Sequence, residues 1–218
     1  HGCLYNCSYC YMKRHKAEGL DIAKNTMDIL TAINSHCVFA DVEKPNQTHE
    51  EYITYDISCN EDFALHAKYH EWQKIFDFFK NHDRAMGSFA TKYVNEKLLE
   101  YNPEGKIRIR FSLMPVQYAR IIELNTSNIG DRIKAINDFI EAGYDVHINF
   151  SPVIVHDDWL EKYKELFLVI SNCAKNYAWD TSEVKAEVIF LTHNQAKHDL
   201  NVLKGVPGEE YLWKPEIQ

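Results

Sequence analysis

The sequence has no apolar run near the roughly 18 residues that cross a bilayer as a helix, and no signal-peptide core is visible. A helical membrane span is thereby excluded. It has no internal repeat, no low-complexity tract and no linker, so residues 1–218 read as a single domain. Positive charge is not in excess: 24 Lys and Arg face 32 Asp and Glu, a net charge of -8. That argues against a surface that grips nucleic acid everywhere and leaves room for a local basic channel. An even spread of cysteines is also missing. Three of the six cluster and three stand alone (Cys37, Cys59, Cys173), the pattern of a reduced, cytoplasmic, metal-binding protein rather than a secreted disulfide framework. There is no initiator Met, and the expectation is a segment of a longer chain with at least one element upstream.

What is present is globular. Hydrophobic residues make up 45% of 218 positions and aromatics 13%, enough for one substantial core. The run 51–59, EYITYDISC, is β-branched and aromatic and predicts a buried strand, and 63–82 repeats apolar residues at helical spacing. Further strands are expected at 87–92, 106–114, 144–155 and 183–191, separated by a short helix before Pro103 and by longer helices at 127–143 and 157–175. In the helix at 127–143, Ser127 reads as the cap and Gly143 as the stop. Such alternation means parallel strands crossed by helices, an α/β sheet. Ligands collect at the carboxyl ends of such strands. Polar residues recur there: Cys59 to Asp62, Thr91 and Lys92, Ser112, then Ser151, His156 and Asp157.

The opening HGCLYNCSYCY is the most specific signal. Cys3, Cys7 and Cys10 fall in a C-x3-C-x2-C spacing followed directly by the aromatic Tyr11. Three thiolates cannot close a tetrahedral zinc site without a fourth ligand. They can hold a [4Fe-4S] cluster with one iron left open. An open iron that chelates S-adenosylmethionine can reduce its sulfonium and release a 5′-deoxyadenosyl radical. A zinc knuckle or redox cysteines is the competing reading.

Several segments together resemble the spore photoproduct lyases, radical S-adenosylmethionine enzymes of DNA repair. CLYNCSYCYM is similar to their cluster loop, YDISCNED to the strand end with a non-cluster cysteine, FATKY to a threonine–lysine strand and IRIRFSLM to an arginine–phenylalanine–serine strand. RIKAINDFIEAGYDVHINFSPVIVHDDW completes an ordered match over about 190 residues. The resemblance implies a partial (β/α)6-type radical SAM barrel of parallel strands, truncated at both ends. Its first strand would lie upstream and a basic, aromatic substrate-binding hairpin downstream. It implies cluster ligation by Cys3, Cys7 and Cys10 and contacts to S-adenosylmethionine from Lys92 and Ser112. Cys59 would donate a hydrogen atom to the product radical, Tyr11 would relay hydrogen, and Tyr9 flanks the third cysteine. The implied reaction takes hydrogen from C6 of a cross-linked thymine pair in DNA, and its partners are damaged DNA and a reductant such as flavodoxin or ferredoxin. A monomer is expected.

The stretch Asn60-Glu61-Asp62 departs from that family, which has small hydroxyl residues before its aspartate. Glu61 can pair with the ammonium of S-adenosylmethionine or mark another substrate. Taken singly, Cys59 also reads as a small buried strand-end residue, Lys92 as a surface lysine, Ser112 as a strand serine, and Tyr9 as packing. Lys106, Arg108 and Arg110, with Lys13, Arg14 and Lys16, are candidates for a basic channel. Two alternatives stay open: the same radical chemistry on RNA, a peptide or a metabolite, and a non-catalytic iron–sulfur or zinc module with Cys37 or Cys59 as fourth ligand.

Overall fold

The computed structural model describes residues 2–12, 19–40 and 49–213. Lys13, Arg14 and Lys16 lie outside the described residues. Helix α1 spans Thr26–Phe39 and strand β1 Ile53–Asp56. They are followed by α2 (Phe63–His66), α3 (Trp72–Asn81), β2 (Ala85–Thr91), β3 (Ile107–Ser112) and α4 (Val116–Ile122). The order ends with α5 (Ile129–Glu141), β4 (Asp145–Val153), α6 (Trp159–Asn176), β5 (Ala186–Phe190), α7 (Gln195–Leu203) and α8 (Glu209–Leu212).

All five strands pair in parallel, in chain order β1-β2-β3-β4-β5. Each crossover adds its strand on the same side, and the array curls into a half-barrel. The expected partial barrel of parallel strands is the observed fold. Among the described residues no helix is long and apolar enough to cross a membrane.

Side chains alternate across each strand, and this separates core from site. On β3, Ile107, Ile109 and Phe111 are fully buried under the helices, with the Phe111 ring 5.3 Å from Phe139 of α5. Phe63, Phe76 and Phe89 stack between α2, α3 and β2, with ring centroids 5.1 to 6.2 Å apart. Burying one such ring contributes roughly 1.5–3 kcal/mol. At Gly87 the helix comes so close that an added Cβ would lie 2.9 Å from Phe79 and from Ile107.

The opposite face of β3 carries the basic row, and partners take up its charge. Arg108 Nε donates to Asp145 at 2.6 Å, and Arg110 meets Asp56 at 2.9 Å and Glu187 at 3.7 Å. Lys106 donates to the His82 carbonyl at 2.6 Å and lies 3.6 Å from the centre of the Tyr52 ring. Arg108 and Arg110 are thus ion-paired, while Lys106 is held by a carbonyl and a ring.

Two boundaries differ from the expected ones for local reasons. The run 63–82 breaks into α2, a tight turn at Ala67–Tyr69, and α3, because His70 is extended and pairs with Glu61 at 2.8 Å. Asn128, not Ser127, caps α5 by accepting from the Asp131 N–H at 2.9 Å, while the Ser127 hydroxyl accepts from Val94 N–H. The far end of α5 matches its signal. Gly143 takes a φ of 86°, Tyr144 N–H returns to the Phe139 carbonyl, and the two rings sit 5.0 Å apart, closing the helix in a Schellman motif.

Candidate cofactor site at the strand ends

At the carboxyl ends of β1, β2 and β3 lies a cavity of about 280 Å³. Its walls hold Cys3, Cys7 and Cys10 with Tyr5, Tyr9 and Tyr11 from the opening loop, Asn60 to Asp62 after β1, Thr91 and Lys92 at the end of β2, and Ser112 at the end of β3. The three cysteines and the residues Lys92, Ser112 and Glu61 therefore share one cavity although the sequence spreads them over 110 positions. Ser151, His156 and Asp157 are not in its walls. His156 sits instead between Tyr118 and Tyr211, with ring centroids 5.8 and 5.4 Å away.

Buried polar side chains shape the strand-end loops. The Asp62 carboxylate accepts from the Thr91 hydroxyl at 2.7 Å, from Lys92 N–H at 2.7 Å and from Leu65 N–H at 3.1 Å, joining the end of β1 to the end of β2 and capping α2. Burial pushes its carboxyl above the usual carboxylate range against the pull of those donors. Asn60 takes a positive φ of 67°, which asparagine tolerates better than most residues. Its carbonyl accepts from Gly2 N–H at 3.1 Å and its side chain accepts from the Tyr11 hydroxyl, so one residue fastens both ends of the cysteine loop. Ser8 N–H reaches the Ile122 carbonyl at 2.8 Å and fastens the middle.

Around the loop the electrostatics oppose loose charge. Burial pushes the Cys3 thiol to about 11 and the Cys7 thiol to about 12. Burial and the nearby Glu123 carboxylate hold the Tyr9 phenol well above its ordinary value. Tyr9 donates to Glu123 at 2.5 Å, and Lys92 Nζ stands 3.8 Å from the same carboxylate. Glu61 is nearly buried beside His70, whose ring stacks on Phe63 at 4.8 Å.

Cys59 is exposed and is not among the cavity walls. That removes the reading of a small buried strand-end residue. Its sulfur lies near enough to Tyr11 to add to the effect of burial in raising that phenol. Cys37 is buried on α1 against the Tyr55 hydroxyl at 3.1 Å, away from these walls.

Three thiols around one cavity fit the donor set of an iron–sulfur cube. Among the described residues no three His, Cys, Asp or Glu side chains converge on one metal ion. A cube asks less of them, because each thiolate takes a different iron. The Tyr5 hydroxyl lines the same cavity, buried and without a hydrogen-bond partner among the described residues, as expected beside a group that supplies one.

Sequence reasoning did not single out Asn60 or Asp62 as framework residues, nor Glu123 and Arg132. For Asp62 a signal existed, an acidic cap before the apolar run Phe63-Ala64-Leu65. For Glu123 there was none, since Tyr9 and Lys92 are far away in the chain, and Arg132 bonds residues 5 to 20 positions off that form no recognisable motif.

Known proteins match this chain in sequence and fold. A family described as spore photoproduct lyase matches residues 1–206. The spore photoproduct lyase of Bacillus subtilis (strain 168) is 26% identical over 169 residues, covering 76% of this chain and 47% of that protein. That of Geobacillus sp. (strain Y412MC61) is 27% identical over 191 residues, covering 86% and 53%. The chain thus spans about half the length of the curated relatives it matches. A solved variant of spore photoproduct lyase with bound AdoMet and dinucleoside spore photoproduct superposes with a TM-score of 0.80 at 23% identity, over 93% of this chain and 58% of that one. A likeness of that kind establishes the fold.

Proposed function

The chain belongs to the spore photoproduct lyase family, and on that premise we propose that it is a radical S-adenosylmethionine lyase that splits a thymine photoproduct in DNA. The observation that carries the reading is the shared cavity: three cysteines, Lys92, Ser112 and Glu61 around one space at the strand ends, with exposed Cys59 beside Tyr11.

Cys3, Cys7 and Cys10 would hold a [4Fe-4S] cluster through three irons. Lys92 offers an ammonium to the carboxylate of S-adenosylmethionine, Glu61 a carboxylate to its ammonium, and Ser112 a hydroxyl. Bound together, cluster and S-adenosylmethionine supply a carbon radical that takes a hydrogen atom from an unactivated carbon. The residues outside the cluster complete the reaction. Once hydrogen has left C6 of the thymine pair and the linking bond has broken, the Cys59 S–H gives its hydrogen atom to the thymine radical. The Tyr11 O–H then restores the thiol, and a bound cofactor would supply the hydrogen taken from C6 back to Tyr11. Atoms balance, so S-adenosylmethionine acts as a catalyst and is not consumed. Tyr9 flanks Cys10 and holds the loop through Glu123. The rest of the reading is one radical domain over residues 1–218, working as a cytoplasmic monomer with damaged DNA and a flavodoxin- or ferredoxin-type reductant.

The test uses anaerobically reconstituted protein, a reductant, S-adenosylmethionine and an oligonucleotide carrying the spore-type photoproduct. Restored thymines that disappear in Cys59→Ala, with little free 5′-deoxyadenosine, are expected. Free 5′-deoxyadenosine without repair would move the substrate to another class. Neither product from cluster-loaded protein would overturn the radical assignment.

A further inference from the structure

Behind the cavity, outside its walls, stands a buried ion pair. Glu123 is the residue that ends α4, and its side chain is 1% exposed. One oxygen accepts from Tyr9 Oη at 2.5 Å and stands 3.8 Å from Lys92 Nζ. The other accepts from Arg132 at 2.9 Å. Arg132, on α5, is fully buried, and its remaining hydrogen bonds go to the Ser112 carbonyl at 2.8 Å, the Ser127 carbonyl at 2.8 Å and the Thr126 hydroxyl at 2.5 Å. The neighbouring Ile122 carbonyl holds Ser8 N–H at 2.8 Å. Residues 122 and 123 therefore grip residues 8 and 9, the stretch between the second and third cysteines.

A carboxylate so deeply buried persists only with its charge matched and its lone pairs occupied. Arg132 matches the charge and occupies one oxygen, Tyr9 occupies the other, and four hydrogen bonds fix the guanidinium plane in turn. Glu123 is thus rigid before anything enters the cavity. Two groups that face the cavity take their positions from it: the Tyr9 phenol by a direct bond, and the Lys92 ammonium by a looser ion contact that also places it 5.8 Å from the centre of the Tyr9 ring. With Arg132 already on one oxygen, Glu123 leaves Lys92 enough positive character to attract an anion from the cavity side.

We propose that Glu123, anchored by Arg132, is a positioning residue that couples the order of the cysteine loop to the aim of Lys92 at the carboxylate of S-adenosylmethionine. The half concerning Lys92 rests on the function proposed above; the half concerning the loop does not. Tyr9 and Lys92 should then behave as one unit. Freeing either from Glu123 disturbs the other, and removing Glu123 disturbs both.

The experiment has two arms. In the first, the cluster-free chain is treated with iodoacetamide under native conditions, and labelling of Cys7 and Cys37, both buried, is followed by mass spectrometry. Glu123→Gln and Tyr9→Phe should each speed labelling of Cys7 by about tenfold, the double variant no further, and Cys37 should not change. Cys37 rising with Cys7 would mean general loosening, and an unchanged Cys7 would mean that Glu123 does not hold the loop. Either result overturns the proposal. In the second arm, S-adenosylmethionine binding to cluster-loaded protein is titrated calorimetrically. Lys92→Met and Tyr9→Phe should each weaken it, and the double variant should weaken it by less than the product of the two factors. Factors that simply multiply would overturn the coupling. Absence of binding by the unaltered protein would sink the proposed function, while the labelling arm would still decide the role of Glu123 in the loop. Should Glu123→Gln fail to fold for want of a partner for Arg132, the paired replacement Glu123→Leu with Arg132→Met removes both charges and should reproduce the same labelling.

Discussion

The carboxylate of Asp62 accepts the backbone N–H of Lys92 at 2.7 Å, across the gap between the ends of two adjacent parallel strands. No ladder bond reaches that far, so a side chain does the work of the sheet. The same carboxylate takes the Thr91 hydroxyl and the first turn of α2. Removing it leaves two part-buried backbone donors, Leu65 N–H and Lys92 N–H, without an acceptor, while the Thr91 hydroxyl keeps only the Tyr93 carbonyl at 3.1 Å. Asp62→Ala should lower unfolding free energy by about 2–4 kcal/mol, and Asp62→Asn, which keeps one acceptor oxygen, by about half of that. Urea titrations of the three proteins check it. Equal losses for both variants would mean that charge, not hydrogen bonding, matters there.

Gly87 tests the packing of α3 on the sheet. A Cβ at this position would come within 2.9 Å of the Phe79 ring and the Ile107 methyl. The ring is fully buried and cannot swing away. Gly87→Ala should cost about 1–3 kcal/mol, read as a lower Tm with an unchanged cysteine loop. A neutral or stabilising effect would show that α3 moves off the sheet with ease.

How much of this was legible beforehand depends on the range of the interaction. The cysteine loop could be singled out because its three thiols are local in sequence, and the parallel array followed because helices alternate with the strands. The end of α5 was readable too, since Gly143 and Tyr144 close the helix through bonds a few residues long. The break at His70 was not, because it comes from a tertiary pair with Glu61 that overrides good helical spacing. Helix α4 was missed because its seven residues carry less than two full turns of pattern. Glu123 was beyond reach for the same kind of reason: its partner Tyr9 is 114 positions away, and no local motif marks it. The departure at Asn60-Glu61 was noticed as a change of residue type. What it does for the backbone, a left-handed turn that fastens Gly2 and Tyr11, needed coordinates.

Acid should weaken the fold through His66. Its side chain is fully buried, and neither ring nitrogen has a hydrogen-bond partner among the described residues. Burial lowers its pKa from the ordinary 6.5, with His70 and Lys68 acting in the same direction and Glu61 against them. The native state thus binds its proton less readily than the unfolded chain. Stability is insensitive to this group above about pH 6.5 and falls as pH drops below it, levelling off beneath the native value. His49 and His82 are shifted the same way, so the comparison must be internal. The urea midpoint should fall between pH 7.5 and pH 5.5, and fall less in His66→Leu. Parallel losses in the two proteins would exclude His66 as the source.

Glu61 offers the sharpest separation of architecture from function. Its carboxylate lies in the cavity wall and also 2.8 Å from His70 Nε2. Two roles compete for it: holding His70 against Phe63 at the break between α2 and α3, or holding the ammonium of S-adenosylmethionine. Glu61→Gln keeps the size and a hydrogen-bonding oxygen but removes the charge. Should the ammonium be its partner, a charge-assisted hydrogen bond becomes an ordinary one, and the Kd for S-adenosylmethionine should rise about tenfold at nearly unchanged Tm. The assay is calorimetric titration of cluster-loaded protein, paired with a thermal melt of the same sample. An unchanged isotherm with a lowered Tm would assign Glu61 to His70 alone, and the amino end of the cofactor would then need another acceptor in the cavity wall.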